Sequence, residues 1–108
     1  MIVALLAGAS FALLSNVAQA EAVKGSAEAA KSKLAMCIGC HGIPGYHTAY
    51  PVVYHVPKIY GQQEAYILKA LQEYKAGERS HPSMRGIARG LSDQDMADLA
   101  AYYGGGAK

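Results

Sequence analysis

Two cysteines and the histidine that follows them are the residues of this chain best suited to defined chemistry: Cys37-Ile38-Gly39-Cys40-His41. The spacing is C-x-x-C-H, at which two thiols and one imidazole serve a single c-type haem. The thiols add across the two haem vinyl groups as thioethers, and the adjacent imidazole coordinates iron. On a helix Cys37 and Cys40 stand at i and i+3, and Cys37 and His41 at i and i+4, so all three share one face. Gly39 leaves room for close approach. Gly42 and Pro44 follow at once and can stop the helix.

Other chemistries fit this pattern less well. A thioredoxin-type dithiol needs a βαβ setting, and no strand pattern is visible around the motif. A structural zinc site needs four ligands, and the sequence holds only these two cysteines. Cys37, Cys40 and His41 cannot easily all bind one tetrahedral ion.

With His41 on one side of the iron, the other side needs a donor. Met1 lies at the extreme start, Met36 is on the same helix as His41, and Met96 falls on an apolar helical stripe. Met84 remains, 43 residues after His41, in the turn-rich stretch Ser80-His81-Pro82-Ser83. A methionine in that loop can approach iron from the far side. His81 is the rival, and His47 and His55 are also free. Two histidines would lower the potential relative to the Met/His pair.

Most of the remaining sequence reads as helix. Ser26 is a candidate N-cap for Ala27 to Met36, which runs into the C-x-x-C-H motif. The stretch from Ile43 to Gly61 holds Pro44, Pro51 and Pro57 with Tyr46, Tyr50, Tyr54 and Tyr60, which predicts an irregular loop; Val52-Val53 could pair only briefly. A second helix is predicted from about Gln63 to Ala76, with Ile67, Leu68 and Leu71 on one face and Gly77 at its end. A short helical turn is predicted at Met84 to Arg89. The last helix starts at Ser92, where Ser92 and Asp95 form a capping-box pattern and Leu91 and Met96 a hydrophobic staple. Met96, Leu99, Ala100 and Tyr103 form its buried stripe.

At 108 residues the chain is one domain. Its net charge of +2 is too small for a nucleic-acid binder. Residues 1–20 carry none of the charged side chains and end in Ala18-Gln19-Ala20, the layout of a cleaved secretory signal peptide, although without the usual basic start. The expected division is a signal peptide at 1–20 and a domain at 21–108. Export places the domain in the periplasm, with no membrane span after cleavage.

The ordered set CIGCHG, VPKIYGQ, the helix 65–74, Gly77-Glu78-Arg79, Met84 and LSDQDMADLAAYY resembles the short bacterial class I cytochromes c, and single domains of the di-haem periplasmic cytochromes c. The similarity runs from Lys33 to Tyr103. It implies an all-α class I cytochrome c fold, with about three main helices and short turns around one covalent haem c. It implies thioethers at Cys37 and Cys40, iron ligation by His41 and Met84, and a Pro57 carbonyl that accepts a hydrogen bond from the His41 ring. It implies that Ala30 and Leu34 pack on Leu99 or Tyr103, and that one of Arg79, Arg85 and Arg89 pairs with a haem propionate. The expected function is an electron carrier rather than an enzyme, with transient redox partner proteins. The alternatives are a cytochrome subunit of a larger oxidoreductase, and a haem enzyme or gas sensor with a labile sixth ligand.

Overall fold

Ser26 begins the first helix as its residue type predicts: its hydroxyl accepts from the Ala29 amide at 3.2 Å. The computed structural model describes residues 22–49 and 53–105. The expected signal peptide and Val52 therefore lie outside the described residues. Helix α1 (Ala27–Ala30) passes into a 3-10 turn (Lys31–Lys33) and then α2 (Ala35–His41). The sequence predicts one unbroken helix here. The Ser32 hydroxyl donates back to the Ala29 carbonyl at 3.1 Å, a local bond of the kind that bends helices.

The segment 43–57 also departs from the loop expectation. A short antiparallel ribbon joins β1 (His47–Thr48) to β2 (Tyr54–His55), pairing His47 with His55 and Thr48 with Tyr54. Val53 belongs to neither strand. The Val56 amide donates to the Tyr46 carbonyl at 2.9 Å, and the Tyr54 amide donates to the Thr48 hydroxyl at 3.1 Å. A side-chain oxygen thus supports pairing that propensity alone does not predict.

Helix α3 (Glu64–Ala76) ends at Gly77, whose φ of 83° is the left-handed cap expected of glycine. Helix α4 (Pro82–Arg89) is longer than the turn predicted and starts two residues earlier. Pro82 occupies its first turn, where a missing N–H costs nothing. Helix α5 (Asp93–Gly104) carries the capping box: Ser92 accepts from the Asp95 amide at 3.1 Å, and Asp95 accepts from the Ser92 amide at 2.9 Å.

These helices share one core of Ala30, Leu34, Ile67, Leu99, Ala100 and Tyr103. Helix α5 packs on both α1 and α3, and Met96 on its stripe is also buried. Full burial of a side chain the size of Leu99 or Met96 is worth about 1.5–3 kcal/mol. No helix among the described residues is long and apolar enough to cross a membrane.

One buried carboxylate ties the two ends of the domain together. Asp98 is 1% exposed. It accepts from the Ser26 amide at 2.8 Å, from Gln94 Nε2 at 2.8 Å and from Lys33 Nζ at 2.7 Å. Lys33 also reaches Asp95 at 2.7 Å. Next to this clamp, a Cβ on Gly25 would lie 2.0 Å from the Ala97 carbonyl oxygen, so only glycine lets the chain pass.

The Lys33 hydrogen bond is the leading cause that holds the Asp95 carboxyl down to about 2, from an ordinary 3.8. Asp98 is lowered first by Lys33, then by the Ser26 amide. Both groups bind protons less readily in the folded chain, so their stabilisation is complete above about 4 and is lost as pH falls, for Asp95 through about 2. Asp98→Asn is expected to lower the thermal midpoint near neutral pH and to reduce the acid sensitivity in that window, read by circular dichroism. Gly25→Ala is expected to cost about 1–3 kcal/mol of stability in denaturant unfolding.

Candidate functional site

The face of α2 that carries the C-x-x-C-H motif opens on a cavity of about 410 Å³. Cys40 and His41 line it from α2, Thr48 and Tyr54 from the ribbon, Ile67 and Leu71 from α3, and Met84 and Ile87 from α4. A smaller recess of about 40 Å³ shares His41, Ile67, Leu71, Met84 and Ile87 and adds Cys37, Leu99 and Tyr103. The size falls in the range of small-molecule and cofactor sites, about 300–1,000 Å³. Aliphatic side chains from three helices keep its walls apolar.

Both cysteines are free thiols on one helix. Cys40 borders the main cavity and Cys37 the recess beside it, so the two sulfurs stand at separate points of one rim. Burial pushes the Cys37 thiol up, partly opposed by the Tyr103 hydroxyl next to it. Burial likewise raises Tyr103 well above the usual phenol range.

The His41 ring is fixed by one bond. Its Nδ1 lies 2.7 Å from the Pro57 carbonyl oxygen. A carbonyl can only accept, so Nδ1 carries the proton and Nε2 keeps a lone pair for a metal. Proline lacks an N–H but keeps this carbonyl. The sixteen-residue excursion between His41 and Pro57 contains the ribbon, which brings the acceptor back to the ring.

Met84 sits in the first turn of α4 rather than in a loop. The N-cap of that helix is His81, whose Nδ1 accepts from the Met84 amide at 3.4 Å. The His81 ring is held between Tyr54, at 4.1 Å between centroids, and Tyr74, at 6.4 Å edge-on. His81 also borders the cavity. The expected rival of Met84 is therefore engaged in capping the helix that carries Met84. Histidine is not among the common cap residues, so residue type gave no warning of this role; Pro82 was the only readable signal.

Of the three arginines expected near the ligand, Arg79 borders the cavity. It donates to the Tyr66 hydroxyl at 3.4 Å and lies 5.1 Å from the Tyr74 ring centre. The Arg85 guanidinium packs over Gly77, and its buried Nε has no hydrogen-bond partner among the described residues. Arg89 is exposed.

Among the described residues, no group of three or more His, Cys, Asp or Glu side chains could hold a metal ion. A porphyrin brings four nitrogen donors of its own to a metal held by His41. Two free thiols on the rim, one imidazole with a defined lone pair, one thioether and an apolar cavity fit such a group.

The family model described as Cytochrome c matches residues 22–103. Cytochrome c4 of Pseudomonas aeruginosa is 44% identical over 79 residues, covering 73% of this chain and 37% of that protein. Cytochrome c-554(548) of Halomonas halodenitrificans is 38% identical over 82 residues, covering 73% of this chain and 94% of that protein. The crystal structure of reduced recombinant cytochrome c4 from Pseudomonas stutzeri aligns with a TM-score of 0.60 and 42% identity, over 74% of this chain and 45% of that one. The chain thus spans less than half the length of these cytochrome c4 proteins.

The capping role of His81 is open to direct test. His81→Ala is expected to destabilise α4 by about 1 kcal/mol, and His81→Asn, a strong cap, to restore most of it. Amide hydrogen exchange across residues 82–89 measures both.

Proposed function

Because the chain belongs to the cytochrome c family, whose members hold haem c covalently, we propose that it is a periplasmic one-electron carrier with His41 and Met84 as axial ligands. The observation that carries this reading is that His41, oriented by Pro57 at 2.7 Å, and Met84 border the same apolar cavity. Haem supplies an iron couple that cycles between ferric and ferrous states. Cys37 and Cys40 provide the two thioether attachments.

The chain's own residues set the conditions for that couple. The Pro57 carbonyl holds the His41 ring in one tautomer and raises its basicity. The His81 cap fixes the turn that carries Met84. His41 and Met84 would together hold the iron, leaving no position for a substrate or a gas. Ile67, Leu71 and Ile87 exclude water, so a change of iron charge asks for little solvent rearrangement. A thioether ligand raises the potential relative to a second imidazole.

Met36 on the cavity rim is 64% exposed, and Ile38 and Ile43 nearby are 44% and 47% exposed. An apolar border of this kind suits brief contact with protein redox partners, whose interfaces are often below about 1,200 Å². Export by the segment 1–20 is consistent with the periplasmic assignment.

In the purified holoprotein, Met84→Ala is expected to abolish the long-wavelength ferric band of an iron–thioether bond. It should admit carbon monoxide to the ferrous iron and lower the potential by on the order of 0.1 V, within the ≈ 0.8 V range that axial ligands command. An unchanged spectrum would remove Met84 from the ligand set. Rapid binding of carbon monoxide by the unaltered protein would favour a sensor or enzyme over a carrier.

A further inference from the structure

The ribbon over the cavity carries two histidines that the haem site does not use. His47 and His55 are directly paired across β1 and β2. Both are exposed. The flanking bond from the Val56 amide to the Tyr46 carbonyl, 2.9 Å, makes 47 and 55 a pair without mutual ladder bonds. Side chains approach most closely at such a pair. Their ring centroids are 4.7 Å apart, with the planes tilted by 52°.

That separation has a chemical meaning. With a metal–nitrogen bond of about 2.0–2.1 Å and the ring centre roughly 1 Å further out, two imidazoles at adjacent corners of one ion bring their centres to about 4.5–5 Å. The observed centroid separation falls within that range. Their backbone is braced on the inner face, where the Tyr54 amide donates to the Thr48 hydroxyl at 3.1 Å.

We propose that His47 and His55 form a surface chelate for one divalent transition-metal ion, with water completing its coordination. Imidazole suits copper and zinc, and the divalent affinity order places copper(II) above zinc(II). The ion ties β1 to β2 and so fastens the strand pair that precedes Pro57. The site rests on the ribbon geometry and not on the identity of the iron ligands.

Zinc(II) alone, titrated into the reduced holoprotein, tests the site. The chain has four histidines; His41, His55 and His81 border the cavity, and His47 does not. Calorimetry should give one ion per chain, and the imidazole proton resonances of His47 and His55 should shift together. His47→Ala should weaken binding by about tenfold or more with the haem spectrum unchanged, because His47 does not line the cavity. His55→Ala should weaken zinc(II) binding to the same extent; His55 borders the cavity, so the unchanged haem spectrum is read on the His47 variant alone. The proposal is overturned by no binding at millimolar zinc(II), by a shift of one histidine only, or by equal affinity in the double variant.

Discussion

A neutral imidazole can serve a metal through only one nitrogen, and the other must be told to keep the proton. The Pro57 carbonyl does this for His41. Its position is set by everything between the two residues: the glycine that ends α2, the ribbon, and the turn that returns the chain to α2. The 43–57 segment is therefore the scaffold of one hydrogen bond. Strand alternation half-buries Thr48 and Tyr54 at the cavity and leaves His47 and His55 paired and exposed, His55 at the cavity's edge.

The second axial candidate rests on different physics. Met84 is held by a helix start, and that start is assembled from a proline with preset φ and a histidine accepting an amide hydrogen. His81 in turn is packed between Tyr54 of the ribbon and Tyr74 of α3. The two sides of the cavity are thus linked through aromatic contacts, and neither wall is positioned independently of the ribbon.

Much of this was readable in the residues themselves. The C-x-x-C-H motif, the Ser26 and Ser92 caps, the Gly77 terminus and the stripe Met96, Leu99, Ala100, Tyr103 follow from local rules, and each is where those rules put it. What escaped depends on partners distant in sequence. Thr48 supports Tyr54 through a side chain, so a ribbon forms where the prolines predict a loop. His81 caps a helix although its type rarely does. No local pattern marks Asp98; Lys33, 65 residues earlier, makes it a buried anchor. Local periodicity carries no information about such pairs.

The sharing of Lys33 between Asp95 and Asp98 has a consequence for how the domain assembles. Asp95 closes the first turn of α5, and Asp98 receives the backbone just ahead of α1. One ammonium therefore couples the birth of the C-terminal helix to the docking of the N-terminal segment. The backbone ahead of α1 and the first turns of α5 thus share one ammonium, and loss of that ammonium loosens both. The turn bearing both thiols grows directly out of that junction, so the attachment site inherits its rigidity from a contact made far from the cavity.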